Sequence, residues 1–244
     1  MTDGVLLIHA FPMDARMWDS QREALRGVPL AAPHLPGFGG AAPAGDSMTM
    51  GTAAGRCVQA LDDAGIGKAM VCGLSMGGYV AFELWGAAPE RVGGLVLANT
   101  RSGADTEEGA AGRRKLAERL RAEGNAFLVE SPPPLLSADA SDELWGWVRG
   151  VIADQPAASI AAASLGMAAR ADSTADLAGI DVPTLVITSD GDTLIPQEVS
   201  APMAEQIPGA ELAVIQGAGH LSNLERTGEF SELLVGHAER CGLA

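Results

Sequence analysis

Gly73-Leu74-Ser75-Met76-Gly77-Gly78 stands directly after the apolar run Ala69-Met70-Val71-Cys72 and directly before a stretch of helical periodicity over 76–87. It matches the pattern G-x-S-x-G, in which a serine occupies a strained turn between a strand and a helix. The turn lifts the Ser75 hydroxyl above the sheet, and side chains two positions to either side would collide there. Gly78 allows the helix to pack closely on the strand. We therefore predict that Ser75 is a nucleophile at the carboxyl end of a buried strand.

The rest of the chain repeats this alternation of short apolar runs and longer helical stretches. Continuous apolar strands separated by helices indicate a parallel sheet covered on both faces. Right-handed crossovers make it a doubly wound α/β sheet, mostly parallel and of about six strands. The predicted strands are 5–8, 28–32, 69–72, 95–98, 184–188 and 212–215, and the predicted core helices cover 15–25, 50–64, 76–87 and 223–240.

Residues 101–178 interrupt this alternation. They show helical periodicity over 111–123, 141–153 and 157–170 but contain no convincing strand. We predict that they form a small helical cap inserted between two strands, so that the core comprises residues 1–100 and 179–244. Ordinary crossover helices are the alternative.

Composition and charge argue against several classes of protein. The 244 residues are 47% hydrophobic and 19% charged, which suits a sizeable globular core and not a disordered chain. With 16 Lys and Arg against 31 Asp and Glu, the formal net charge is −15, so neither nucleic acid nor a membrane surface is an expected partner. Only three cysteines, a start without a cationic signal region and no tract long enough to span a bilayer predict a cytoplasmic protein.

A serine needs a base to act as a nucleophile, and the chain has four histidines. His220 follows the last predicted strand in a glycine-rich loop, from which it can reach Ser75. His237 falls within the last helix and is predicted to be a surface residue. His9 ends the first strand and His34 lies in a Pro- and Gly-rich turn, so both are candidates for lining a pocket.

A carboxylate should orient the base. Asp190 and Asp192 both follow the predicted strand 184–188. Either can hold the second ring nitrogen of His220 and stabilise the imidazolium, and their spacing alone does not separate them.

Two backbone N–H groups are expected to stabilise the negative charge that develops on a substrate oxygen. One belongs to Met76, which begins the predicted helix 76–87. The positive end of the helix dipole and the free N–H groups of the helix lie there. The other belongs to Phe11 in the loop after the first strand, since Pro12 has no N–H to donate. Trp18 is a further candidate for the pocket wall.

Taken together, these residues resemble the α/β-hydrolase superfamily, in particular small-capped enzymes similar to 3-oxoadipate enol-lactonases, haloperoxidase-like esterases and related carboxylesterases. The stretches that carry the resemblance are 9–18, 35–39, the Ser75 turn, 89–92, 95–99, 192–196 and 217–225. The order Ser, Asp, His along the chain is also that of the superfamily. In this family the aspartate commonly precedes a proline by four residues, which favours Asp192, since Pro196 follows it. Relatives usually carry an N-terminal antiparallel hairpin that is missing here, so six parallel strands are expected.

The resemblance implies hydrolysis of a small-molecule carboxylic ester or lactone through an acyl-enzyme, without a metal or an organic cofactor. Carbon–carbon bond hydrolysis or perhydrolysis by the same residues is the alternative reaction. A ligand-binding or receptor protein with little turnover is the alternative from another class. The basic run Arg113-Arg114-Lys115 is expected to be a solvated face, or else to attract a carboxylate-bearing substrate. The oligomeric state stays open.

Overall fold

Six parallel strands form one continuous sheet in the computed structural model, which describes residues 1–243. The strands are β1 (Thr2–Ile8), β2 (Leu30–Ala31), β3 (Ile66–Leu74), β4 (Val92–Ala98), β5 (Thr184–Ser189) and β6 (Glu211–Ile215). They lie in the order β2-β1-β3-β4-β5-β6, and every neighbouring pair is parallel. The predicted doubly wound sheet of six parallel strands is therefore confirmed.

Helices follow the strands along the chain. The α-helices are α1 (Asp19–Ala24), α2 (Met50–Asp63), α3 (Met76–Ala87), α4 (Glu107–Glu123), α5 (Ala126–Glu130), α6 (Asp142–Asp154), α7 (Ala157–Ala168), α8 (Gln197–Ser200), α9 (Pro202–Gln206), α10 (Ser222–Glu225) and α11 (Thr227–Arg240), and shorter 3-10 helices cover Ala15–Trp18, Pro89–Arg91 and Thr174–Gly179. Within residues 1–243, no helix is long and apolar enough to cross a bilayer.

The central strands are covered on both faces. In β3 every residue from Ala69 to Leu74 is buried, although successive side chains of a strand point to opposite faces. Neighbouring strands also end side by side, because Ile8 pairs with Gly73 and Ala98 pairs with Leu74. The loops that follow these strands therefore meet at one edge of the sheet, where α/β sheets bind ligands.

Between β4 and β5 the chain forms helices α4 to α7, and no described residue of this stretch joins the sheet. We call residues 101–178 the helical insertion. Helix α4 begins at Glu107, earlier than the periodicity predicts, because the Thr106 hydroxyl accepts a hydrogen bond from the Gly109 N–H at 3.1 Å. Helix α7 packs against α4 and against the loop before α2, where a Cβ on Gly166 would meet the Met48 carbonyl. This packing fixes the insertion to the core.

The prediction that His237 is a surface residue is wrong. Its side chain packs under β4 and β5, where only 3% of the residue is exposed and Nε2 lies 3.2 Å from the Pro183 carbonyl oxygen. Burial lowers the pKa of His237, since the imidazolium loses hydration there. The position in a terminal amphipathic helix suggested a polar face, but this part of α11 covers the sheet.

Candidate active site

The turn at Ser75 has the geometry that its motif predicts. Ser75 joins β3 to α3 with φ 57° and ψ −114°, a conformation that costs a residue with a side chain on the order of 1–3 kcal/mol. Its N–H donates to the Ala98 carbonyl at 2.9 Å, and its carbonyl accepts from the Thr100 hydroxyl at 2.8 Å. These two bonds from the end of β4 hold the turn, and the serine hydroxyl reaches the edge of the sheet.

The glycines around the turn are required by close backbone approach. A Cβ on Gly73 would lie 2.2 Å from the Gly77 carbonyl oxygen, and one on Gly77 would lie 2.1 Å from the Ile8 carbonyl oxygen. A Cβ on Gly78 would lie 2.3 Å from the Thr100 hydroxyl oxygen. Each distance is far below a van der Waals contact, so the turn and its packing on β1 and β4 exclude side chains at all three positions.

His220 is held by a buried carboxylate. Its Nδ1 donates to Asp192 Oδ2 at 2.8 Å, and the two side chains are only 3% and 0% exposed. The second carboxylate oxygen accepts from the N–H groups of Leu194 at 2.9 Å and Ile195 at 3.0 Å. Burial raises the pKa of Asp192, but the hydrogen bond from His220 and the other donors outweigh it, so the pKa lies below its usual value. The carboxylate stays ionised and can stabilise an imidazolium.

Asp190, the other aspartate of this loop, faces away from the histidine. Its Oδ1 accepts from the Gly217 N–H at 2.6 Å in an exposed position. It therefore joins the loop after β5 to the loop after β6, whereas Asp192 contacts the imidazole of His220.

Asn99 supports Asp192, and sequence reasoning gave this asparagine no role in the site. Its Nδ2 donates to Asp192 Oδ2 at 3.0 Å and to the Ser189 hydroxyl at 2.8 Å. Its own Oδ1 accepts from the Ser222 hydroxyl at 2.6 Å. Asn99 has φ 43°, which an asparagine tolerates better than most residues, and follows the last residue of β4. The sequence signal that could have identified Asn99 is a polar residue at the end of β4, the strand next to β3, which leads to Ser75.

The two backbone N–H groups predicted to stabilise an oxyanion, those of Phe11 and Met76, lie at the same edge of the sheet. Neither the N–H of Phe11 nor that of Met76 has a hydrogen-bond partner among the described residues. Met76 opens α3, so its N–H has no acceptor within the helix. Phe11 follows β1 and lines the same cavity as Ser75. Two free donors from adjacent loops are what a developing negative charge requires.

His9 fixes the loop that carries Phe11. Its Nε2 accepts from the Leu35 N–H at 3.0 Å, and its Nδ1 donates to the Ala10 carbonyl at 3.0 Å. Complete burial lowers the pKa of His9 to about 4, so the imidazole is neutral at pH 7. His9 joins the loops after β1 and β2, and it does not line the cavity.

Ser75 and His220 line one cavity of about 230 Å³. The core also supplies Phe11 and Tyr79 to its wall. Six further residues of the wall belong to the helical insertion, namely Arg101, Arg113, Leu116, Pro133, Leu135 and Met167. The hydrogen bonds between described residues do not include one from the Ser75 hydroxyl to His220. Such bonds are often long in a resting enzyme and tighten in the substrate complex.

The structure places two other pocket candidates outside this cavity. Trp18 is fully buried and packs against Phe230 with ring centroids 5.9 Å apart. His34 accepts a hydrogen bond from the Ala15 N–H at Nδ1, at 3.3 Å. Neither residue contributes to the cavity wall: Trp18 packs in the core, and the half-buried His34 connects its loop to Ala15.

Comparison with known proteins decides the family. The model of the alpha/beta hydrolase family matches residues 5–233. The chain belongs to the alpha/beta hydrolase family. The predicted resemblance and the predicted class of enzyme, a hydrolase, are thereby confirmed.

Relatives of this alpha/beta hydrolase include enzymes that act on esters and lactones. It is 29% identical to 3-oxoadipate enol-lactonase 1 of Acinetobacter baylyi over 95% of this chain and 87% of that protein. A thermophilic esterase from Thermogutta terrifontis, solved with malate bound, superposes with a TM-score of 0.93 at 35% identity, over 99% of this chain and 90% of that one. A bromoperoxidase from Bacillus anthracis superposes with a TM-score of 0.84 at 23% identity, over 98% and 92% of the two chains, and shares the fold.

Proposed function

We propose that this alpha/beta hydrolase is a serine esterase or lactonase that works through an acyl-enzyme. The observation that carries the proposal is the single cavity that Ser75 and His220 share, with His220 hydrogen-bonded at 2.8 Å to a buried Asp192. The names of the relatives add support, since one is an esterase and another an enol-lactonase.

In the first half of the reaction, the Ser75 Oγ attacks the carbonyl carbon of the ester while Nε2 of His220 takes the hydroxyl proton. The carbonyl electrons move onto oxygen, and this oxyanion accepts hydrogen bonds from the N–H groups of Phe11 and Met76. As the carbonyl re-forms, the bond to the leaving alcohol oxygen breaks, and His220 gives its proton to that oxygen. Ser75 is then acylated.

Deacylation repeats these steps with water. His220 removes a proton from water, which attacks the acyl carbon, and the Ser75 oxygen leaves and recovers the proton. Asp192 remains ionised throughout and stabilises the imidazolium through Nδ1. Its pKa, below the usual value because of its hydrogen-bond donors, suits that role. A lactone follows the same course, except that its leaving oxygen stays attached to the product.

Replacing Ser75 by alanine tests the proposal. We expect Ser75→Ala to lower kcat/KM for p-nitrophenyl butyrate by about 10³-fold or more, because the hydroxyl that attacks is lost. Ser173→Ala is the matched control, since this half-buried serine lies outside the cavity. Full activity of a purified Ser75→Ala protein that has wild-type stability would overturn the proposal.

A further inference from the structure

Three arginines, two of which line the cavity, surround one buried carboxylate. The Arg101 Nη2 and the Arg113 Nε each lie 2.5 Å from an oxygen of Asp105. Arg170 approaches the same carboxylate at 2.9 Å. The Asp105 side chain is only 2% exposed. One negative charge thus faces three positive ones, which leaves this arginine cluster (Arg101, Asp105, Arg113 and Arg170) with a net formal charge of +2.

Arg170 has a structural role, although its buried Nε has no hydrogen-bond partner among the described residues. Its guanidinium donates to the carbonyls of Met167 and Gly103 at 2.9 Å each and lies 4.1 Å from the centroid of the Tyr79 ring. The side chain is only 4% exposed, so solvent or a ligand hardly reaches it. Together with Asp105 it ties the end of α7 to the segment after β4.

Arg101 and Arg113 are different, because both residues line the cavity that contains Ser75 and His220. Their side chains are 31% and 23% exposed. The Nε of Arg101 is buried without a hydrogen-bond partner among the described residues. A guanidinium offers five N–H donors, and Asp105 accepts only some of those that these two residues present.

The positive charge of the cavity contrasts with the rest of the molecule. The chain has a formal net charge of −15, whereas the described residues that line this cavity include no Asp or Glu. Burial alone would raise the pKa of Asp105, but hydrogen bonds from Arg170 and Arg113 lower it to about 2, so that the carboxylate stays ionised. A local positive site in an anionic protein concentrates small anions at that place only.

We propose that this cavity selects esters or lactones that carry a free carboxylate, and that Arg101 and Arg113 bind this carboxylate. The inference rests on the proposed function, because it names the substrate class of the same site. Guanidinium groups bind carboxylates through paired, charge-assisted hydrogen bonds, and both residues keep donors for that purpose. The cavity of about 230 Å³ restricts the acid to a few carbon atoms beyond the scissile bond.

The simpler role for the arginine cluster is to fasten the helical insertion to the core. Asp105→Asn separates the two roles, because it weakens the fastening and leaves all three positive charges in place. If the cluster only fastens, Asp105→Asn lowers the hydrolysis of anionic and neutral esters alike. If Arg101 and Arg113 bind the substrate, Asp105→Asn raises the preference for anionic esters over neutral ones, because the donors that Asp105 occupies become available to the substrate.

The experiment compares monoethyl esters of succinic, glutaric and adipic acid with ethyl butanoate, pentanoate and hexanoate, following proton release. We expect Arg101→Gln and Arg113→Gln to lower the ratio of kcat/KM between the two series by about tenfold or more, since a hydrogen bond to a charged group is lost. The wild-type ratio should also fall with added salt. Arg114→Gln is the charge-matched control, because this exposed neighbour on α4 lies outside the cavity, and it leaves the ratio unchanged. An unchanged ratio in both cavity variants, with thermal stability preserved, would overturn the inference.

Binding of free glutarate distinguishes this inference from the proposed function. Glutarate should raise the Tm of wild-type and Ser75→Ala proteins but not that of Arg101→Gln, because ligand binding stabilises the folded state. If no ester is hydrolysed while glutarate stabilises the protein through Arg101, the proposed hydrolysis fails and carboxylate binding stands. If neutral esters are hydrolysed and glutarate shifts the Tm of neither protein, the carboxylate inference fails and the proposed hydrolysis stands.

Discussion

The loops at the edge of the sheet and the helical insertion contribute differently to the same cavity. The edge loops supply the groups proposed for the chemical step, namely Ser75, Asp192, His220 and the N–H groups of Phe11 and Met76, and each follows a strand of the core. The insertion supplies apolar and guanidinium side chains to the wall. The difference suggests that one region performs the reaction while the other selects the substrate, as a lid over a sheet edge can do.

Changing the proposed acid is expected to have the largest effect. Asp192→Asn should lower kcat by about 10⁴-fold, because an amide favours the wrong tautomer of His220. Asp190→Asn is the matched control and should have a much smaller effect, since Asp190 bonds to Gly217 instead. Steady-state kinetics on one neutral ester decides the ranking. The opposite order of the two variants would move the role to Asp190.

Acid should destabilise the core through His9. Burial holds the pKa of His9 at about 4, below the ordinary 6.5, so the unfolded chain binds the proton first as the pH falls. The free energy of unfolding should therefore drop by up to about 3 kcal/mol between pH 6.5 and pH 4. Urea unfolding of wild type and His9→Gln measures this, and the variant should lose less over the same range. Parallel pH profiles would show that His9 is not the cause.

Glu225 provides one of the contacts between the two regions, and replacing it tests how far they are separable. Glu225 Oε2 accepts from the Gly219 N–H, next to His220, at 2.6 Å. The same carboxylate accepts from the Ser137 N–H in the insertion at 3.0 Å. Glu225→Gln should lower kcat by roughly tenfold for every ester, because the amide holds the Gly219 N–H less strongly and His220 is then positioned less precisely. A loss confined to one group of substrates would assign Glu225 to selection.

Shortening an apolar side chain of the cavity wall should have the smallest effect and should alter only the preference among substrates. Leu116 on α4 lines the cavity, so Leu116→Ala should change the relative kcat/KM of short and long neutral esters by roughly 3- to 10-fold. Leu144→Ala on α6, outside this cavity, is the matched control. An equal fall for all chain lengths would mean that the insertion takes part in the chemical step.

The sheet and the residues at its edge were predictable because their signals are local. Each strand contains a short apolar run, and Ser75, Asp192 and His220 follow such runs within a few residues, in loops with characteristic glycines or a proline. The arginine cluster was not predictable, because Asp105 meets Arg101, Arg113 and Arg170 only once the insertion has folded. The basic run 113–115 shows what the sequence alone could not separate, since Arg113 lines the cavity while Arg114 and Lys115 are exposed.

Covalent trapping tests the central claim most directly. Wild-type protein should be mixed with p-nitrophenyl butyrate, quenched in acid during turnover and digested for mass spectrometry. We expect the mass of one butyryl group on the peptide that contains Ser75, and no such mass at this peptide in Ser75→Ala, because the hydroxyl forms the acyl-enzyme. A butyryl group on another residue, formed at the rate of turnover and retained in Ser75→Ala, would contradict the claim that the strand-end loops carry out the reaction.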